Sequence, residues 1–270
     1  VPLTKHTASE NRLIAALPHE DRQHFLDGCE RVELVFADIL CKAGEPIQYV
    51  HFPISSVISL LAEADDNSSV EVGMVGNEGM IGIPIMLGVD FSSLQFLVQG
   101  AGAAWRMDAL SFRRELQLSS ALKLQLNRYL YVMTTQLAQI AACIRFHMVD
   151  ARLARWLLLM EDRVHSDKFH VTHKILAYML GVRRVSVTNV AGSLQRKKLI
   201  SYSRGEITIL DRIGLEAACC GCYRADQEIY DHLLGDPRNS FIGTSDFVNQ
   251  SERLVAEDMI IDVTTQESNR

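Results

Sequence analysis

The chain has 270 residues, 48% of them apolar and 22% charged, with 16 glycines, 6 prolines and 6 cysteines. That is enough for one large domain or two ordinary ones, and it excludes disordered, collagen-like and low-complexity architectures. The formal net charge of −6 is unevenly spread: Arg145 to Arg212 holds 13 Lys and Arg against 6 Asp and Glu, and Val171 to Arg204 holds seven cations and no acid over 34 residues. An acidic chain with one acid-free basic block points to an anionic partner for that block more than to a solvated face balanced by acids elsewhere. The most charge-poor stretch, Gly79 to Trp105, carries Pro84 and five glycines and is a poor membrane helix. The opening VPLTKHTASENR has no apolar signal region. The chain therefore reads as soluble and cytoplasmic with no membrane partner, and its scattered cysteines suit a reducing compartment.

Asn11 to Glu30 has a helical pattern, with Leu13, Ile14 and Leu17 before Pro18 and a second short helix from His19 or Glu20. From Arg31 the period becomes two, with Val32, Leu34 and Phe36 on one side. Short strands follow at Ile39–Lys42, Tyr49–Phe52, Val57–Ala62, Val70–Val75, Ser93–Val98 and Ala101–Met107. Turn signals at Ala43–Pro46, Asp65–Asn67 and Gly100–Gly102 separate them, a spacing that predicts an antiparallel sandwich or barrel. A short helix is predicted over Asp108–Glu115. A long one follows over Ser119–Phe146, with an a/d-like seam of Leu122, Leu126, Tyr129, Met133, Leu137, Ile140 and Ile144. Such a helix is about 40 Å long. Two arrangements fit it, a buried core helix and a spine paired with its own copy, and its length favours the spine. A further helix over Asp150–Arg163, with Asp150 as N-cap, carries Leu153, Trp156, Leu157 and Met160 on one face.

Thr172 to Leu194 reads THKILAYMLGVRRVSVTNVAGSL. Thr172 caps a short helix with Leu176, Ala177 and Leu180 inward. Gly181 turns the chain, and a second helix begins at Arg183 or Arg184. Its inward face is Val187, Val190, Ala191 and Leu194. A small residue at Ala177, a glycine four later and an apolar residue six beyond is helix-turn-helix spacing. The basic run Gln195–Lys198 leads to a predicted hairpin, Leu199–Tyr202 and Ile207–Leu210, turned at Ser203–Glu206. Arg184, Val185, Ser186, Thr188 and Asn189 are the outward residues that would read bases. Arg184 suits guanine O6 and N7, Asn189 suits adenine N6 and N7, and Val185 suits a thymine methyl. Thr172, Arg183, Arg196, Lys197, Lys198 and Arg204 complete the DNA-binding set as backbone contacts.

On these segments, together with Val50-His51-Phe52-Pro53, Val75–Met80, Ala151–Leu158 and Leu180–Arg184, the sequence resembles the Crp/Fnr superfamily of bacterial transcription regulators over roughly Asn11 to Leu234. The resemblance implies an α+β fold: an N-terminal antiparallel, jelly-roll-like β-roll, a long dimerisation helix and a C-terminal winged helix-turn-helix. The corresponding boundaries are 1–117, 118–147 and 148–214, with a C-terminal helix and acidic tail at 215–270. It implies a sequence-specific DNA-binding regulator acting as a homodimer. Its partners would be an inverted repeat of double-stranded DNA, a second copy of the chain and RNA polymerase. Arg183 and Val185 stand where many members have Ser and Glu, a departure that alters the usual half-site.

Cyclic-nucleotide binders of this superfamily hold phosphate with a Gly-Glu turn and an Arg-Ser/Thr-Ala element. The matching region, Gly76–Phe96, has Glu78-Gly79 and no arginine, and no Lys or Arg occurs between Lys42 and Arg106. A buried cyclic phosphate needs a paired cation, so the sensor reads as degenerate and unable to bind cAMP in the family's manner. Its effector is left open. Cys29 and Cys41 are too few for an N-terminal iron–sulfur cluster. Cys219-x-x-Cys222 is one half of a metal site without a partner pair, and Cys219, Cys220 and Cys222 are read as core filling ahead of metal or redox chemistry, Cys219 and Cys222 continuing the stripe Leu215, Ile229, Leu233 of one C-terminal helix. No metal or cofactor is expected, and no catalytic triad or phosphate loop is present in the sequence. The alternative is a ligand-binding β-roll protein or enzyme whose basic module makes protein contacts only. Gly235–Arg270 has 3 basic and 7 acidic residues. It is read as a solvated tail with a short helix at Ser251–Ile261, or as an acidic segment that covers the basic face.

Overall fold

The computed structural model describes residues 10–63 and 69–235. The acidic tail beyond Gly235, its expected helix at Ser251–Ile261 and the turn expected at Asp65–Asn67 lie outside these residues. Helix α1 (Arg12–Ala15) is capped by Asn11, whose side-chain oxygen accepts from the Leu13 and Ile14 amides. The same side chain donates to the carbonyls of Pro53 and Gly79, at 3.0 and 2.8 Å, and so ties the N-terminus to the roll. Helix α2 (His19–Asp27) ends at Gly28, and Glu30, expected in the helix, already opens a strand.

Seven strands form two antiparallel sheets. These are β1 (Glu30–Leu34), β2 (Ile39–Cys41), β3 (Tyr49–Pro53), β4 (Val57–Glu63), β5 (Ser69–Val75), β6 (Gln95–Gly100) and β7 (Gly102–Asp108). One sheet has the order β1-β7-β3, the other β2-β6-β4-β5. Period two holds poorly in β1, where only Leu34 is buried. Phe36 lies past the strand end, its ring 6.0 Å from that of His170 in the winged domain. A 3₁₀ turn, Ile83–Leu87, sits between two glycines and interrupts a segment with no strand or helix period of its own.

Helix α3 (Ala109–Leu118) is capped by Asp108, and α4 (Ser120–Phe146) by Ser119, whose hydroxyl oxygen accepts from the Leu122 amide at 3.0 Å. The seam expected along α4 divides in two. Leu122, Leu126, Tyr129 and Met133 are buried in the core of their own β-roll, with Phe25, Phe52 and Phe112. They do not face a partner, because the roll's open side lies against this half of the helix. Leu137 and Ile144 are each 40% exposed and Ile140 is half-buried.

Helix α5 (Val149–Val164) starts one residue before the expected cap. Met148 is the N-cap, and Asp150 lies inside the first turn, accepting from the Ala151 amide. The winged domain follows: β8 (Lys168–His170), α6 (His173–Leu180), α7 (Arg184–Arg196), β9 (Ile200–Ser203) and β10 (Glu206–Ile209). The wing has three strands in the order β8-β10-β9, where the sequence pattern shows only the last two; β8 is three residues long, too short to display a period. Helices α8 (Arg212–Ala218) and α9 (Cys222–Leu234) replace the single C-terminal helix expected, because Cys219 leaves helical geometry at ψ 168°. The stripe from Leu215 to Leu233 is therefore two faces of two helices. Roll, long helix and winged domain through Leu234 make one compact unit. Among the described residues no helix is long and apolar enough to cross a membrane.

His51, in β3, is 5% exposed and its Nδ1 has no hydrogen-bond partner among the described residues. Burial, and then the Arg106 guanidinium beside it, lower its pKa from 6.5 to about 4. The unfolded chain thus takes up a proton that the folded chain refuses over that interval, so this group's contribution to stability is fully present above pH 6.5 and declines as pH falls. The slope is about 1.4 kcal/mol per pH unit. Denaturant titrations between pH 7 and 4.5 should show this decline, and His51→Gln should flatten it; an equal slope in the variant would assign the acid sensitivity to other groups.

Candidate nucleic-acid interface

The two helices that would meet DNA are set by local chemistry. Thr172 Oγ1 accepts from the Ile175 amide at 3.2 Å and caps α6. Gly181, at φ 62°, closes α6 in the left-handed region, where a side chain would be strained, and the Val182 amide returns to the Ala177 carbonyl at 3.0 Å. Arg152 of α5 donates to the free Leu180 carbonyl at 2.5 Å and fixes the end of α6. Val187, Ala191 and Leu194 are buried against α5 and α6, with Val190 half-buried. Burying this face leaves Arg184, Val185, Thr188, Asn189, Gln195 and Arg196 on the exposed side of α7.

Seven cations surround this side: Lys174, Arg183, Arg184, Arg196, Lys197, Lys198 and Arg204 are all exposed, and none forms an ion pair among the described residues. Three cations that flank this block in the chain are engaged instead: Arg155 with Asp226, Arg163 with Glu78, and Arg212 with Glu161 and Asp162. Arg204 and Gly205 both have positive φ and make the two-residue turn of the wing, which projects Arg204. Ser186 departs from the expected set: it is half-buried at the flank of α7.

Thr188 is exposed, but its hydroxyl is already used. Its Oγ1 donates to the Arg184 carbonyl at 3.1 Å and lies 3.0 Å from His173 Nδ1. One hydroxyl proton serves one acceptor, so the consistent arrangement has His173 Nδ1–H donating to Thr188. The His173 ring stacks on Tyr202 with centroids 4.5 Å apart, and Tyr202 donates to the Val171 carbonyl at 3.2 Å. Burial, followed by the charge of Arg184, holds the His173 pKa below its ordinary value and keeps the ring neutral. This cluster joins α6, α7 and β9. His173, Lys174 and Gln195 are the residues of this face that the sequence reading did not single out. Lys174 was visible in the acid-free block, whereas His173 offers no signal until the wing folds over it.

On the sensor side, Tyr129 lies across the Gly76–Met80 turn. Its hydroxyl donates to the Met80 carbonyl at 3.2 Å, and a Cβ on Gly79 would stand 2.2 Å from it. A cation reaches this turn from outside the roll: Arg163 of α5 donates to Glu78 at 2.7 Å and to the Leu159 carbonyl at 3.1 Å. It is consumed by those partners. Arg113 is paired with Asp90. An apolar groove between Phe36, Leu97 and Gln99 of the roll and Ile175, Tyr178 and Val182 of the winged domain runs beside Thr172 and Arg183.

Residues 151–218 match the family model of the Crp-like helix-turn-helix domain. No curated protein matches the sequence. The fold is that of Crp/Fnr regulators. A Eubacterium rectale protein assigned to the Crp/Fnr family of transcriptional regulators is 19% identical, with TM-score 0.61, covering 77% of this chain and 99% of the other. The c-di-GMP responsive global regulator CLP of Xanthomonas campestris is 16% identical, with TM-score 0.58, covering 71% and 99%. FixK2 of Bradyrhizobium japonicum is 14% identical, with TM-score 0.57, covering 71% and 98%.

Replacing Arg196, Lys197 and Lys198 together with Ala should flatten the salt dependence of binding to any duplex. Each lost phosphate contact should reduce the log–log slope by about 0.9. Fluorescence anisotropy across a salt series measures it, and an unchanged slope would remove these residues from the DNA face.

Proposed function

We propose that this chain, a Crp-like helix-turn-helix domain carried on the Crp/Fnr fold, is a DNA-binding transcription regulator that acts as a homodimer. The observation that carries this reading is the group of seven exposed cations, unpaired among the described residues, around the open side of α7. Unpaired cations at that density repel one another and gain most from a polyanion. In this reading α7 enters the major groove with Arg184, Val185 and Asn189 toward base edges, while Thr172, Arg183, Arg196–Lys198 and Arg204 hold phosphates. Ser186 and Thr188 contribute less than the sequence pattern implies, the first through burial and the second because its hydroxyl is committed within the protein. RNA polymerase is the further partner that a regulator of this kind meets, and the cytoplasm is where it acts.

The second copy docks on the part of α4 that the roll leaves open. Leu124, Tyr131, Leu137 and Ile144 are exposed along it, at 55%, 60%, 40% and 40%. Leu137, Ile140 and Ile144, at spacings of three and four, share one side of the helix, the pattern of a helix paired with its own copy, while Leu124 and Tyr131 share another side roughly 120° round. The sensor does not take cAMP in the family's manner, since Tyr129 lies over Gly79 and Arg163 is neutralised by Glu78.

Selection from random duplexes should yield an inverted repeat with half-sites about one helical turn, roughly 34 Å, apart. Each half-site should contain a guanine and an adenine, with a thymine near Val185, and adding cAMP should leave the selection unchanged. Arg184→Ala should cost about 1–3 kcal/mol and relax the guanine preference alone, while Lys198→Ala weakens all sequences alike. Sites without dyad symmetry, or base preferences unaltered by Arg184→Ala, would place another element in the groove. The dimer is tested by Leu137→Asp, which sets a charge against its symmetry copy at a cost of several kcal/mol while sparing the protomer core. Sedimentation at low micromolar concentration should show a monomer, and a persisting dimer would move the interface off this stripe.

A further inference from the structure

The C-terminal end of α4 and the link between α8 and α9 bring together four side chains that are far apart in sequence. Cys143 and His147 stand four residues apart, so the last turn of α4 directs both to one side; the His147 amide donates to the Cys143 carbonyl at 3.0 Å and keeps that turn intact. Cys220 and Cys222 flank Gly221 where α9 begins. The Sγ atoms of Cys143 and Cys220 are 3.6 Å apart, and Cys222 Sγ is 3.4 Å from His147 Nδ1. All four donor atoms lie within 4.8 Å of one another. The three cysteines are buried and His147 is half-buried. Cys219, next in the chain, is turned away, its thiol donating to the Glu216 carbonyl at 3.1 Å.

From this geometry we infer a mononuclear zinc site of Cys143, His147, Cys220 and Cys222 that pins α9 to the end of α4. The donor set is that of a structural Cys₃His centre. Zn–S bonds of about 2.3 Å and Zn–N bonds of about 2.0–2.1 Å at tetrahedral angles require S···S edges of about 3.8 Å and S···N edges of about 3.6 Å. The observed 3.6 and 3.4 Å need only a few tenths of an ångström of expansion. A two-iron cluster divides its ligands between two metals and would spread them wider than 4.8 Å. Calcium and magnesium take oxygen donors, and none is in the set. A disulfide would join one pair and leave the other thiol and the imidazole without a role.

The surroundings suit a bound metal. Gln139, one turn before Cys143, donates from Nε2 to Cys222 Sγ at 2.9 Å, the outer-shell hydrogen bond that orients a ligating thiolate. On binding, three thiol protons pass to solvent, and Zn²⁺ with three thiolates and a neutral imidazole carries a net charge of −1. The guanidinium of Arg152, whose one partner among the described residues is the neutral Leu180 carbonyl, lies within Coulombic reach of Cys143 and balances it. The centre sits at the α4–α5 junction, where His147 and Met148 link the long helix to the winged domain. It stands whether or not the basic face binds DNA.

Untagged protein, purified under reducing conditions without chelator, should contain one zinc per protomer by elemental analysis and native mass spectrometry. Chelated, reduced protein should take up one equivalent of Co²⁺ and give the absorption of tetrahedral thiolate-bound cobalt. Cys143→Ser and Cys222→Ser should lose the stoichiometric metal, whereas Cys219→Ser should keep it. Gln139→Leu should weaken zinc affinity by about 10–100-fold. Because the cysteine variants could fail to fold, the cobalt spectrum of the unaltered chain decides the matter. Reduced chain that holds no zinc and shows no tetrahedral cobalt spectrum, a Cys143–Cys220 disulfide in protein prepared without oxygen, or metal lost equally in Cys219→Ser would each overturn the assignment.

Discussion

The burial of α5 on all sides is the constraint from which the rest of this molecule follows. Leu153, Ala154 and every residue from Trp156 to Met160 are buried. A surface helix hides one stripe; this one is covered by Val57, Leu61 and Met74 of the roll and by α6, α7 and the wing. Each fully buried leucine here contributes about 1.5–3 kcal/mol by taking its apolar surface out of water. Sensor sheet and DNA-binding module thus share one core, and neither can shift without repacking the other.

The polar residues of α5 work at the rim of that core. Arg152 reaches the end of α6 at the Leu180 carbonyl, Arg155 pairs with Asp226 of α9, and Arg163 pairs with Glu78 in the roll. Buried ion pairs of this kind gain little net stability over apolar packing, but losing one partner strands a charge. Their effect is to fix register: three arginines on one helix fix three separate elements. Arg212 adds a fourth tie, from the start of α8 back to Glu161 and Asp162.

This arrangement also sorts the cations. Those on α5 are consumed by carboxylates and carbonyls inside the protein, while those from Lys174 to Arg204 are exposed on the winged domain and form no ion pair among the described residues. The uneven charge of the chain is therefore a spatial separation as well as a linear one. His173 and Tyr202 lie beneath this charged side as an uncharged stack, with burial and Arg184 both opposing protonation of the imidazole. The wing is held to α7 through α6, by the Tyr202 stack on His173 and the His173–Thr188 hydrogen bond, without a further charge that would compete for phosphate.

Much of this was legible from sequence because it depends on neighbours along the chain. Thr172 as cap, Gly181 as turn, the inward Val187, Ala191 and Leu194, and the acid-free block are consequences of helix periodicity, capping chemistry and local composition. The order of strands, α3, α4 and winged helix was readable for the same reason. What depends on distant partners was not. Periodicity marks a helix face as apolar without naming what covers it, so the seam of α4 looked continuous although Leu122 to Met133 belong to the roll and the stripe with Leu137 and Ile144 stays open. Likewise Cys220 and Cys222 are buried, as their reading as core filling requires, but their neighbours Cys143 and His147 stand more than 70 residues earlier in the chain. Only the packing of α9 on α4 brings those atoms within bonding reach of a common centre, since convergence of side chains is a property of three-dimensional distance and leaves no trace in spacing.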